Sequence, residues 1–120
     1  MRHRDAEAMA CAQEIEMGPE QVRVSAITLA ELQAGVPRSH EPLVEHTAIV
    51  EVTASKEVVP VTRPIALRGG RLYGELQNDG QSVGLGDCLI AATALEFEEP
   101  VVTRNTEHFE RFDGLLVLEY

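Results

Sequence analysis

Two carboxylates and one carboxamide in this sequence have the residue types and the placement of a cation site. Asp87 stands just before an apolar, alanine-rich stretch, Leu89–Leu95, which carries no charge and predicts a buried helix. Glu31 and Asn105 each follow a short apolar stretch typical of a strand. Carboxylate and amide oxygens are hard ligands that suit Mg²⁺ or Mn²⁺, and such an ion can orient a water and neutralise a phosphodiester. The predicted chemistry is metal-dependent hydrolysis.

Each of these residues also has a purely structural explanation. Glu31 lies three residues after Thr28 and could complete a capping box at a helix start. Asp87 could complement a helix dipole, and Asn105 could cap a helix that begins at Thr106. For a single residue the structural explanation is the more common one. The sequence alone shows that the three side chains could converge, and it does not place them in contact.

Alternating helices and strands must position these side chains. The pattern predicts six helices, over residues 5–17, about 28–35 with Thr28 as the cap, 42–54, 64–77, about 86–97 and 106–112. It predicts four strands, over residues 22–27, 58–61, 101–103 and 115–118. In the fourth helix, the residues predicted to face inward are Ile65, Leu67, Leu72 and Leu76. Such alternation predicts an α/β fold with a mostly parallel sheet, in which ligands bind beyond the carboxyl ends of the strands.

The composition restricts the classes of function. The 120 residues have a net charge of −10 and are 44% hydrophobic, which predicts one folded domain over residues 1–120. The negative charge argues against broad electrostatic binding of nucleic acid, yet a bound divalent ion would supply the local positive charge that a nuclease needs. Cys11 and Cys88 are too few for a disulfide framework or a zinc site and are predicted to be small core residues. Because no segment has the pattern of a signal peptide or a membrane span, a cytoplasmic protein is expected.

Four segments of the sequence, in order, resemble those of a PIN domain of the VapC toxin type. They are residues 24–35, 59–66, 84–95 and 102–109. The third segment is the most specific and contains Asp87, and the likeness extends over essentially the whole chain. The fourth contains His108, which its helical pattern predicts to be exposed. A receiver-like α/β domain fits less well, because the acidic pair after a first strand and the late lysine are lacking.

The resemblance implies a three-layer α/β/α fold and the activity of a magnesium-dependent endoribonuclease, usually the toxin of a toxin–antitoxin pair. It also implies an RNA substrate, a cognate antitoxin, a homodimer and Mn²⁺ as a substitute for Mg²⁺. By position, Glu31 and Asp87 match acidic metal ligands of the family, and Asn105 matches the fourth polar residue of its catalytic set. Thr103 resembles the hydroxyl residue near that site, and Arg104 would touch phosphate.

The first element of the family has no counterpart in this sequence. PIN domains begin with a strand that ends in a metal-binding Asp, whereas Asp5 is not preceded by any strand. The chain is therefore expected to lack roughly fifteen residues, about one strand and one helix. Either the start codon lies upstream of Met1 or the gene is truncated. In the second case the protein would be an impaired remnant that binds antitoxin or dimerises, so the sequence leaves open whether this chain is an enzyme.

Overall fold

A computed structural model describes residues 22–119. The predicted helix over 5–17, the expected loss of a first strand with its Asp, and the predicted core position of Cys11 lie outside the described residues. The elements in chain order are β1 (Arg23–Ser25), α1 (Ala26–Ala34), a 3₁₀ turn (Val36–Arg38), α2 (Pro42–Thr53), β2 (Glu57–Val59), α3 (Arg63–Asn78), α4 (Leu85–Phe97), β3 (Val101–Thr103), α5 (Thr106–Phe109) and β4 (Val117–Glu119). The predicted α/β class is confirmed.

The first compact unit, described over residues 22–59, is built around a parallel ladder. β1 pairs with β2 in a register that runs from Arg23 opposite Glu57 to Ser25 opposite Val59. The helices α1 and α2 form the crossover that parallel strands require. The buried core of this unit consists of Leu32, Val36 and Ile49, with Leu29 packed against them.

Helix α1 begins three residues earlier than the sequence predicts. Ser25 is its N-cap, because the Ser25 hydroxyl oxygen accepts a hydrogen bond of 3.0 Å from the backbone N–H of Thr28. The prediction that Thr28 caps this helix is therefore wrong, and so is the capping box that would have paired Thr28 with Glu31. Since Ser25 is also the last residue of β1, the chain passes directly from the ladder into the helix.

The second compact unit, residues 60–119, combines a helix pair with a second parallel ladder. Helices α3 and α4 pack together, and β3 pairs with β4 from Val101 opposite Val117 to Thr103 opposite Glu119. Its buried core consists of Leu76, Cys88, Ala91, Phe109 and Phe112. Cys88 has no exposed surface, so its predicted place in the core is confirmed.

Helices α3 and α4 approach each other closely at Gly69. A Cβ atom at this position would lie 2.6 Å from Leu89 Cδ2 and 3.3 Å from Leu89 Cα, so the crossing favours a residue without a side chain. The predicted inner face of α3 is correct at Ile65 and Leu76, which are buried, and wrong at Leu67, which is 67% exposed. Each helical residue turns the side chain by about 100°, so Leu67 points away from the face that holds Ile65.

Three predicted boundaries are corrected by local hydrogen bonding. The second strand ends at Val59 rather than 61, because Pro60 has no N–H to donate to a ladder. The predicted helix over 106–112 ends at Phe109 and is followed by a turn. In that turn the N–H of Leu115 bonds to the carbonyl of Phe112 at 3.3 Å, so the last strand begins at residue 117 instead of 115.

Within residues 22–119 the predicted sheet consists of two separate two-stranded ladders, one in each unit. Both ladders are parallel, which confirms the predicted strand direction. The carboxyl end of β1 leads into the helix that carries Glu31, and the carboxyl end of β3 leads to Asn105. The assignment of residues 1–120 to one domain stays a prediction.

Candidate active site

Asp87 lies in the first turn of α4, as the sequence predicts. It is the third residue of the helix, and the N-cap residue Gly84 has no side chain to occupy the helix end. A carboxylate in this turn is stabilised by the unpaired N–H groups and the positive end of the helix dipole. The Asp87 side chain is 27% exposed, so it borders the core and still reaches solvent.

His108 contacts Asp87, and sequence reasoning missed this contact. Its Nδ1 atom lies 3.4 Å from Asp87 Oδ2. The imidazole is 57% exposed, which confirms the prediction of an exposed helical residue. Its contact with Asp87 shows that His108 also has a neighbour in the candidate site. The two residues are twenty-one positions apart, and the only signal in the sequence was that both fall in segments that resemble the PIN family.

The position of His108 is set by the packing of α5. The next residue, Phe109, is buried in the core of the second unit, and its ring lies 6.2 Å from the ring of Phe112. The backbone N–H of His108 donates to the carbonyl of Asn105 at 3.0 Å. Helix α5 is therefore fixed on both its core side and its backbone, and it presents His108 to α4.

Asn105 and Thr103 form a tight turn between β3 and α5. The backbone N–H of Asn105 donates to Thr103 Oγ1 at 3.0 Å. Asn105 is the N-cap residue of α5, but its side chain makes no capping hydrogen bond. The structural explanation for its amide is therefore not supported. Asn105 and Arg104 are both exposed at the carboxyl end of β3.

Glu31 lies in the other unit, in the second turn of α1. Because Ser25 starts this helix, Glu31 is its sixth residue and is too far along to cap it. Its side chain is exposed, next to the buried Leu32. The structural explanation for Glu31 as a capping residue is thus excluded.

The charge of Asp87 also acts on its neighbour Cys88. The pKa of the Cys88 thiol is raised, first by burial and second by the negative charge of Asp87, while the guanidinium of Arg111 acts in the opposite direction. Arg111 donates from Nη1 to the carbonyl of Ser82 at 2.8 Å. A thiol that stays protonated at neutral pH is a poor metal ligand, so Cys88 serves packing.

The side chains around Asp87 supply one metal ligand, which is the Asp87 carboxylate itself. Within residues 22–119, no three His, Cys, Asp or Glu side chains gather into a group that could hold a metal by themselves. Mg²⁺, however, keeps several waters and is commonly bound through one or two carboxylates. A partly exposed carboxylate at a helix start, with an imidazole on one oxygen, suits that mode of binding.

An α/β fold with parallel ladders, in which an acidic residue lies in the first turn of an apolar helix, is the arrangement that the sequence resemblance to PIN domains predicts. The chain belongs to the PIN domain family, whose model matches residues 2–115. Ribonuclease VapC10 of Mycobacterium tuberculosis (strain ATCC 25618 / H37Rv) is 34% identical over 92 residues, which are 77% of this chain and 65% of that relative. The tRNA(fMet)-specific endonuclease VapC of Salmonella typhimurium is 35% identical over 98 residues, 81% of this chain and 74% of that relative. The chain therefore spans about two thirds to three quarters of these relatives.

A solved structure agrees with the sequence comparison. The DNA-bound VapBC from Salmonella typhimurium matches with a TM-score of 0.76 at 27% identity, over 99% of this chain and 84% of that chain. The predicted PIN fold is thereby confirmed. No helix within residues 22–119 has the length and apolar character needed to cross a membrane.

Proposed function

We propose that this protein is the endoribonuclease toxin of a VapBC-type toxin–antitoxin system and hydrolyses RNA phosphodiester bonds with Mg²⁺. The observation that carries the proposal is the placement of Asp87 in the first turn of α4, a helix that packs in the core through Cys88 and Ala91, with His108 Nδ1 3.4 Å from its carboxylate. Support comes from the relatives named VapC, of which one is a tRNA(fMet)-specific endonuclease. The proposal also takes the protein to act in the cytoplasm, where RNA is available.

In this proposal Asp87 would hold Mg²⁺, or Mn²⁺ in its place, and Glu31 matches a second metal ligand of the PIN family by position. The bound ion supplies a positive charge that neutralises the phosphodiester and polarises the attacking water. Asn105 is exposed beside the turn that Thr103 Oγ1 stabilises, so its amide is free of a capping role and is available to orient the substrate. Arg104 adds a positive charge at the same strand end, where it would touch phosphate.

The proposed protein partners are a cognate antitoxin and a second copy of the chain. Support for the antitoxin comes from the matched structure, which is a VapBC complex. A net charge of −10 gives little long-range attraction for RNA. Recognition of the substrate would then depend on the bound cation and on local basic residues such as Arg104.

A second candidate function is a catalytically impaired module that binds the antitoxin or dimerises. The observation in its favour is that the described residues, 22–119, gather no group of three metal-binding side chains. In that case the fold and the partner surfaces would be retained without hydrolysis. The two candidates differ in a single measurable property, which is cleavage of RNA.

The test is cleavage of RNA by the purified protein in the presence of Mg²⁺. We expect cleavage by the natural chain, loss of cleavage with a chelator, and a decrease of more than about tenfold in Asp87→Asn, because the substitution removes a metal-binding charge. Asp79→Asn is the matched control, since Asp79 is an exposed carboxylate at the end of α3. Equal cleavage by Asp87→Asn and the natural chain would contradict the role of Asp87. A folded protein that binds the product of an adjacent antitoxin gene and cleaves no RNA would support the second candidate.

A further inference from the structure

We propose that His108 is a positioning residue that fixes the orientation of the Asp87 carboxylate for metal binding. This inference rests on the proposed function, because it assigns a role within the same site. The geometry behind it is the 3.4 Å approach of His108 Nδ1 to Asp87 Oδ2. His108 itself touches neither metal nor substrate in this proposal and acts only through Asp87.

The orientation of the Asp87 carboxylate has to be fixed by a group outside its own helix. The last torsion of an Asp side chain is broad and roughly two-fold, so the helix backbone alone does not fix the plane of the carboxylate. With 27% of its side chain exposed, Asp87 is not held by tight packing on every side. The Nδ1 atom of His108, 3.4 Å from Oδ2, attracts that oxygen when it carries a proton, which favours one setting of this torsion and gives the second carboxylate oxygen a defined direction.

The constraint is effective because His108 is itself held in place. Phe109 is 6% exposed and packs in the same core as Cys88, the residue that follows Asp87. The core thus holds the residue next to His108 and the residue next to Asp87 in one buried cluster. The backbone bond from His108 N–H to the Asn105 carbonyl fixes the other side of the turn.

A purely structural role for His108 is the competing explanation. His108 lies in the last turn of α5, where a basic side chain can complement a helix dipole. Helix α5 has only four residues, so few peptide dipoles add up at its end. A structural role predicts that His108→Ala lowers the stability of the fold and has no specific effect on metal binding. A positioning role predicts that His108→Ala weakens metal binding and changes the stability little.

The first test measures Mn²⁺ binding by calorimetry for the natural chain and for three variants. We expect His108→Ala to weaken binding by about tenfold or more, as is typical when a residue supporting a metal ligand is lost. His108→Asn keeps a donor near the position of Nδ1, and its dissociation constant should stay close to that of the natural chain. His40→Ala removes an exposed histidine of the other unit and should change nothing. Equal weakening in the Ala and Asn variants would overturn the proposal, as would unchanged binding in His108→Ala.

The second test needs no metal. Nitrogen NMR of the imidazole at pH 8, where a free imidazole is neutral, shows which ring nitrogen carries the proton. We expect a proton on Nδ1 of His108 in the natural chain and a shift towards Nε2 in Asp87→Ala. The same proton distribution in both proteins would overturn the proposal.

The two tests separate failure of this inference from failure of the proposed function. If Asp87→Asn abolishes Mn²⁺ binding and His108→Ala does not weaken it, Asp87 remains a metal ligand and only the role of His108 is refuted. If the natural chain binds no Mn²⁺ while the Nδ1 proton depends on Asp87, the contact is real and the metal-dependent function is refuted.

Discussion

The two compact units place their carboxylates in opposite ways. In the first unit Ser25 starts α1, which leaves Glu31 in the second turn with its side chain in solvent. In the second unit Gly84 starts α4 without a capping side chain, and Asp87 occupies the first turn beside His108. In each unit the position of the N-cap residue sets where the nearby acid lies along its helix, in the second turn for Glu31 and in the first turn for Asp87.

The cores that support these carboxylates differ as well. Among residues 22–59, the core cluster of the first unit consists of the aliphatic side chains of Leu32, Val36 and Ile49. The second unit adds two aromatic rings, Phe109 on the helix that carries His108 and Phe112 in the turn that follows it. The second core therefore both stabilises its unit and positions the helix that carries the partner of Asp87.

Truncation of Phe109 is expected to have the largest effect on this comparison. Phe109→Ala should lower the free energy of unfolding by about 3–5 kcal/mol, and Leu32→Ala in the other core by about 2–5 kcal/mol. Leu116→Ala is the control, because Leu116 is exposed, and should change it by less than about 0.5 kcal/mol. The measurement is urea denaturation followed by circular dichroism. A loss in Phe109→Ala no larger than in Leu116→Ala would mean that this ring does not anchor α5.

The crossing of α3 and α4 gives the next largest effect. Gly69→Ala places a methyl group against Leu89 and should cost about 1–3 kcal/mol of stability. Gly70→Ala, one residue further along the same helix, meets no atom within 4 Å and should gain up to about 1 kcal/mol, because alanine favours the helix. Thermal unfolding of the two variants tests the pair. A stabilising Gly69→Ala would contradict the close approach.

The identity of the α1 cap predicts a smaller effect. Ser25→Ala should cost about 1 kcal/mol, since it removes the oxygen that accepts the Thr28 N–H. Thr28→Ala keeps that N–H and should cost less than Ser25→Ala. If thermal unfolding gives the opposite order, α1 starts at Thr28 and Glu31 returns to the first turn.

The exposed ion pairs of the two units should contribute least. Arg23 Nε lies 3.0 Å from Glu57 in the first unit, and Arg68 Nε lies 3.1 Å from Glu96 in the second. A double-mutant cycle on each pair should give a coupling of about 0.2–1 kcal/mol that decreases with added salt. A coupling well above this range in one pair would show that its two side chains are held in a fixed geometry with little screening by solvent.

Much of the second unit could be predicted from the sequence because its signals are local. The uncharged stretch Leu89–Leu95 predicts a helix with Asp87 near its start, and the structure places Asp87 in the first turn. The strand at 101–103 is also predicted with its observed bounds, because three β-branched residues follow a proline. At both the Asp87 helix and the 101–103 strand, the local sequence pattern is compatible with only one type of secondary structure.

The remaining features depend on competition or on long-range packing. Ser25 and Thr28 are both good caps, and the apolar Ala26 and Ile27 between them extend the apparent strand. The contact between Asp87 and His108 depends on the packing of Phe109 in the core, which positions α5. No local sequence pattern shows that packing. These contacts could not be derived from residue spacing alone.

The most direct test of the proposed site is Mn²⁺-induced broadening of amide NMR signals in the nitrogen-labelled protein. At low Mn²⁺ we predict selective loss of the signals of Asp87, Cys88 and His108, and recovery of these signals in Asp87→Asn. Broadening confined to other exposed carboxylates, such as Asp79 and Asp113, or an unchanged pattern in Asp87→Asn, would contradict the account.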